Sequence, residues 1–296
     1  MIPHEVVLVG VPTNSSGTAD GVARAPGVLR QRGLAAALAA RPGFTDAGDL
    51  ALAAPQPRRG PSGLLAEDAL TVMIGQVREA VRTARRDRRF PLLIGGDCPV
   101  IVGALAALQA EHDEPGLLFV DGHEDAWPPR RSPTGEAADC ELGLVLRLFD
   151  DDLDPRLRGA LPHLRAGNVV AVGPRDAGEL ASAGVPSLAG RLRALIRPAE
   201  LAADGFAAVA AALPAPWWLH TDLDVLATTE LAAVDYPQPG GLTWRQLGQL
   251  TSAALATPGC AGWSVCIYNP DLDPGLGGAD AIISYLTGAI TAADRR

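Results

Sequence analysis

The sequence predicts a three-layer α/β/α fold built on a mostly parallel sheet, and two observations carry that prediction. Short runs of valine, leucine, isoleucine and aromatic residues recur along the 296-residue chain, each apolar on both of its alternating faces. Between them lie longer stretches, rich in alanine and leucine, with helical spacing. Strands buried on both faces need helices on both sides, which is the parallel arrangement.

The elements are expected in the following order. "EVVLVGV" (5–11) opens the sheet, and a helix over 26–40 is entered through Pro26. A second helical pattern covers 64–86 and leads to the strand "FPLLIGG" (90–96). Pro99 suits the first position of a helix over 99–111, where a backbone N–H would go unpaired in any case. Next come "GLLFVDG" (116–122), a helix over 138–149, "NVVAVGP" (168–174) and a helix over 199–213. "WWLHTDLD" (217–224), a helix over 243–256, "GWSVCIY" (262–268) and a last helix over 279–293 complete the set. The proline-rich loops at 53–62 and 126–135 do not read as linkers, and no internal repeat is present, so residues 1–296 are read as one domain.

Apolar residues make up 48% of the chain and charged residues 20%, a balance that builds a large core and argues against disorder. All 25 basic residues are arginine and the net charge is −9, so no basic stripe is available for nucleic acid. "MIPHEVVLVGVP" lacks the basic and apolar regions of a secretory leader, and no stretch approaches ~20 uninterrupted apolar residues. Cys98, Cys140, Cys260 and Cys266 are too scattered for a disulfide framework. The expectation is a cytoplasmic enzyme with a small-molecule substrate, partnered by neither nucleic acid nor membrane.

In open parallel sheets, ligands bind beyond the carboxyl ends of the strands. Three predicted strand ends are unusually polar: Asp97-Cys98 after "LLIGG", Asp121, His123 and Asp125 in "DGHED", and Asp222 and Asp224 in "DLD". Residues two apart in an extended segment point to one side, so each set can converge. So many carboxylates at one edge repel one another unless a cation sits among them, and oxygen-rich sites with an imidazole suit Mn²⁺ and related ions. His220, two residues before Asp222, points the same way and either supports the site from behind or is simply packed.

These motifs resemble those of the ureohydrolases, the family of arginase and agmatinase, whose blocks are G-G-D-H, D-A-H-x-D, D-x-D and P-G-G-L. Here they read Gly95-Gly96-Asp97-Cys98, Asp121-Gly122-His123-Glu124-Asp125, Asp222-Leu223-Asp224 and Pro239-Gly240-Gly241-Leu242. "GVPTNSSGTADGVARAPGVLRQRGL" (10–34) is also similar to the family's opening. The resemblance implies a sheet of about eight strands, a homo-oligomer, and two divalent ions, Mn²⁺ first, whose bridging hydroxide attacks a guanidinium carbon. It implies that Asp121 and Asp222 bridge the ions, that His123 and Asp224 complete one site, and that Cys98 and Asp125 complete the other.

Three departures bear on chemistry. Cys98 stands where the family has a histidine ligand; a thiolate is a competent ligand but shifts preference toward Zn²⁺ or Fe²⁺, and the bland alternative is a small buried hydrophobe. Ile267 stands two residues before Asn-Pro, where the family keeps a glutamate for the substrate guanidinium, which argues against ordinary arginine specificity. Ala138 aligns with the arginase proton-shuttle histidine, in a loop offering Glu136, Asp139 and Glu141, with Glu136 and Glu141 read first as acidic residues at a helix start. Asp125 and Glu124 are the catalytic candidates, and Trp127, Glu136 and Ile267 the substrate-binding ones. The leading expectation is a metal-dependent hydrolase of a C–N bond in a linear amidine or guanidine. The alternative is a degenerate member that binds metal or a partner without turnover.

Overall fold

The computed structural model describes residues 5–201 and 205–294. Eight strands form one sheet: β1 (Val6–Val11), β2 (Phe44–Asp49), β3 (Phe90–Gly95), β4 (Gly116–Val120), β5 (Val169–Val172), β6 (Ala194–Ile196), β7 (Trp217–Asp222) and β8 (Cys260–Cys266). The helices are α1 (Ala25–Gln31), α2 (Leu34–Ala39), α3 (Glu67–Arg86), α4 (Val100–Gln109), α5 (Glu141–Val145), α6 (Pro155–Ala160), α7 (Ala177–Ser182), α8 (Phe206–Ala211), α9 (Trp244–Ala256) and α10 (Gly277–Asp294). Every strand pairing is parallel, in the order β2-β1-β3-β8-β7-β4-β5-β6. Helices cover this sheet in the three-layer arrangement expected from the sequence.

The helices form for local reasons that packing then completes. α3 buries Leu70, Met73, Ile74, Val77, Val81 and Ala84 at helical spacing. Glu67 and Asp68 lie in its first turn and Arg85 and Arg86 in its last, matching the helix dipole. α4 is apolar all round and buried, and Gly103 lets it lie against α3: a Cβ there would meet Val77 Cβ at 2.6 Å. α9 starts at a capping box made by Thr243 and Gln246. Trp217, Trp218 and Trp263 are core residues, as their apolar strands imply.

The differences from expectation lie at the margins. β2 and β6 were not expected: the first is the polar "FTDAGD", the second only three residues long, and both are edge strands with partly exposed side chains. The helix over 26–40 is two helices, broken where Gly33 adopts φ +110°. The helix over 138–149 contracts to α5, and α6 and α7 are short additions. The one expected over 199–213 is described as α8 alone, with residues 202–204 outside the described chain.

What matters for function is that β3, β8, β7 and β4 lie side by side at the middle of the sheet. The chain passes from β3 to β4 across the places later filled by β8 and β7. Such a switch point leaves a crevice at the strand carboxyl ends.

Candidate metal centre

The crevice is built from turns that only a few residue types allow. After β3, Gly96 passes against Thr13, whose carbonyl oxygen a Cβ would meet at 1.9 Å. Asp97 is consumed by this turn: its carboxylate accepts from Ser15 N at 2.6 Å and Cys98 N at 3.0 Å. That fixes Cys98 at the entry to α4, buried, with Sγ 2.5 Å from Oδ2 of Asp222 on β7. Burial, and then the Asp222 carboxylate, push the Cys98 thiol well up, so without a cation it donates its proton to Asp222.

After β4, Asp121 accepts from His123 N at 2.8 Å through Oδ1, while its Oδ2 is buried without a partner. His123 Nδ1 lies 2.8 Å from Asp224 Oδ2. Burial alone would lower the imidazolium, but the Asp224 carboxylate outweighs it and holds the group at about 10. Asp125 adopts φ +42°, a left-handed backbone that turns its buried side chain back to the cavity. Asp222 Oδ1 accepts from Asp224 N at 2.9 Å, so the D-x-D pair is a tight turn with both side chains buried. Burial first, and then a neighbouring carboxylate (Asp224 for Asp121 and Asp222, Asp121 for Asp125), hold Asp121, Asp125 and Asp222 well above the ordinary carboxylate range.

Two groups of metal-ligating side chains result among the described residues. Cys98, Asp121, His220 and Asp222 offer donor atoms within 4.8 Å of one another, and so do Asp121, His123 and Asp125. Asp121 belongs to both. Asp125 thus lies with His123, whereas the sequence resemblance pairs it with Cys98. His220 is fully buried, its Nδ1 is 2.8 Å from Ser264 Oγ, and its Nε2 has no partner. Burial pushes its pKa down to about 3, so the ring is neutral. The partnerless Asp121 Oδ2 and His220 Nε2, set among repelling carboxylates, fit divalent cations.

Cys98, His123, Asp125 and Asp222 of these groups, with Asp224, line a cavity of about 280 Å³ whose walls also include Trp127, Ala138, Asp139, Asp176, Glu179, Tyr236 and Ile267. Ile267 holds φ +70°, strained for a β-branched residue, and its N–H donates to Gly96 O at 2.8 Å. Glu136 stands outside the lining, with Oε2 3.4 Å from the Tyr236 hydroxyl. Burial, then Asp97 and Asp139, raise its carboxyl to about 7. A larger groove of about 810 Å³ between α8, α9 and α10 contains neither group.

Glu124 departs from the expectation. Its carboxylate accepts from Ser187 Oγ at 2.7 Å and from Leu188 N at 2.5 Å, so it anchors the 187–188 loop and takes no part in the cavity. Glu141 opens α5, as expected of an acidic residue at a helix start, but it is fully buried there, and its charge raises the carboxyl of Asp125. Arg175 and Asp176, after β5, were not singled out from the sequence. Arg175 donates to the carbonyls of Asp224, Gln238 and Pro239 at 2.6, 3.1 and 3.1 Å, tying the D-x-D turn to the 238–239 loop. Asp176 accepts from Glu124 N at 3.1 Å and lines the cavity. A charged pair directly after an apolar strand was the available signal.

The arginase family model matches residues 4–288. An N(omega)-hydroxy-L-arginine amidinohydrolase from Streptomyces lavendulae is 30% identical over 185 residues, 61% of this chain and 61% of that protein. The match thus spans about three-fifths of that relative's length. The Bacillus caldovelox arginase structure superposes with a TM-score of 0.81, at 24% identity, covering 98% of both chains. Proclavaminate amidino hydrolase from Streptomyces clavuligerus does so with a TM-score of 0.64, at 21% identity, covering 98% of this chain and 89% of that one. With the family model covering nearly the whole sequence, and the crevice placed where its motifs lie, the chain belongs to the arginase family.

Proposed function

We propose that the protein is a metal-dependent hydrolase that cleaves a C–N bond of a small guanidino or amidino compound. The observation that carries this reading is the pair of donor groups sharing Asp121, of which Cys98, His123, Asp125 and Asp222 line the cavity. Cys98, Asp121, His123, Asp125, Asp222 and Asp224 are the residues that would hold two divalent ions. When bound, those ions supply a water acidified to a nucleophile near neutral pH and a counter-charge for the carboxylates.

The chain's own residues do the rest. Asp121 keeps the two donor groups in register, and the Asp222–Asp224 turn fixes the opposite wall. Glu136, titrating near about 7 and touching Tyr236, is placed to pass a proton between cavity and solvent where Ala138 offers none. Ile267 presents an apolar wall, so a guanidine whose reacting end needs no carboxylate partner fits better than arginine itself. The similarity to an N(omega)-hydroxy-L-arginine amidinohydrolase points to an N-substituted guanidine.

Ala138 and Ile267 in the lining favour a second reading, a member that binds metal without turnover. Metal analysis of protein reconstituted with Mn²⁺ or Zn²⁺, with a screen for urea, hydroxyurea and ammonia release from guanidines and amidines, separates the two. Two equivalents with turnover of a substituted guanidine supports the hydrolase. Two equivalents without turnover supports the second reading, and no bound metal overturns both.

A further inference from the structure

The family pattern places an imidazole at position 98, and this chain has a thiol there. An imidazole nevertheless reaches the same place from β7. In the sheet register His220 sits between Phe119 of β4 and Ser264 of β8. Both neighbours fix the ring: Phe119 stacks on it at 5.4 Å between centroids and 19° between planes, and Ser264 Oγ lies 2.8 Å from Nδ1. Trp218 Nε1 donates to the same hydroxyl at 3.0 Å.

The surroundings of the ring favour one tautomer. Ser264 Oγ has two lone pairs; with one taking the Trp218 N–H, the other is open to an N–H from His220 Nδ1. That arrangement leaves the Nε2 lone pair free. In the opposite tautomer an Nε2–H would stand among carboxylates with a hydrogen bond to make, and Nε2 has none. A metal-bound histidine characteristically donates its other N–H to a supporting oxygen, which sets the ring. His220 already has that support, is fully buried, and lies with Cys98, Asp121 and Asp222 within 4.8 Å.

We propose that His220 is a metal ligand through Nε2, returning to the Cys98 group the imidazole that position 98 has lost. The assignment rests on the metal-dependent reading above and deepens it. It makes the two positions chemically unlike. Cys98, His220, Asp121 and Asp222 form a sulfur–nitrogen–oxygen set that suits Zn²⁺, Fe²⁺ or Co²⁺, whereas Asp121, His123 and Asp125 are richer in oxygen and suit Mn²⁺.

The test uses the full chain with ¹⁵N-labelled histidine, titrated with Zn²⁺ alone and followed by long-range ¹H–¹⁵N NMR of the five imidazoles. Ring-nitrogen signals of two histidines, His123 and His220, should shift to metal-bound positions, with His220→Asn and His123→Asn supplying the assignments. His220→Asn keeps an amide near Nδ1 for Ser264 and removes Nε2. It should weaken Zn²⁺ uptake at the thiolate group by more than the ~10- to 100-fold that loss of a merely supporting partner costs, leaving the His123 group as in wild type. A shift of His123 alone in wild type, with His220 unmoved at saturation, overturns the inference and leaves the metal-dependent reading standing. If neither ring shifts, the metal-dependent reading itself fails, and the inference with it. The wild-type spectrum decides between these outcomes even if His220→Asn does not fold.

Discussion

The Cys98 thiol on α4's entry turn and Oδ2 of Asp222 on β7 are 2.5 Å apart, a direct link from that turn to a central strand. Cys98→Ser keeps a donor for Asp222 but removes the soft ligand. The variant should fold normally, and its Zn²⁺ affinity should drop at least ~10-fold with Mn²⁺ uptake changed much less. Elemental analysis after dialysis at buffered free metal measures both.

The His123–Asp224 pair gives the metal-free protein a pH signature. His123 titrates near about 10 in the folded chain, above its ordinary 6.5, because Asp224 outweighs the effect of burial. A raised folded pKa stabilises fully below the unfolded value and is lost as pH rises through the folded one. The metal-free protein should therefore lose thermal stability steadily between about pH 6.5 and pH 10. Metal binding displaces the same proton, so added Mn²⁺ should remove or reverse the slope. Thermal scans across that range, with and without Mn²⁺, check the sign.

Glu124 separates stability from metal binding. Glu124→Gln weakens the ties to Ser187 and Leu188 and should cost about 1–3 kcal/mol in denaturant unfolding. Its metal stoichiometry should equal wild type, whereas a catalytic or ligating carboxylate would show itself in activity or uptake before stability.

Ile267→Glu restores the carboxylate that the family pattern carries. The backbone there is left-handed, and glutamate tolerates φ +70° better than a β-branched residue does. The variant should raise kcat/KM for arginine at least ~10-fold and lower it for any N-substituted guanidine that wild type prefers. Steady-state kinetics on both substrates reads the exchange.

The parts of the molecule legible in the sequence are those whose chemistry and position coincide locally. Asp121, His123, Asp222 and Asp224 follow apolar strands directly, and parallel sheets put chemistry there. Glu124 is a candidate only by its place inside the D-x-H-x-D block; β4 ends at Val120, and beyond it tertiary packing carries the Glu124 carboxylate to Ser187 and Leu188. Glu141 resembles any acidic residue at a helix start, and only tertiary packing makes it a fully buried carboxylate beside Asp125. β2 and β6 escaped because an edge strand needs neither length nor apolar faces.

The order of the central strands sets when in the protein's life the metal can arrive. Donors lie on segments from Cys98 to Asp224, and β8, wedged between β3 and β7, is not complete until Cys266. A chain emerging from the ribosome therefore carries β3 and β4 with the gap between them unfilled until β7 and β8 have both been made. Ligand turns that far apart come into register only when that gap closes, a late and non-local event. Any ion held between these turns would therefore be taken up only as the central strands pair, late in folding.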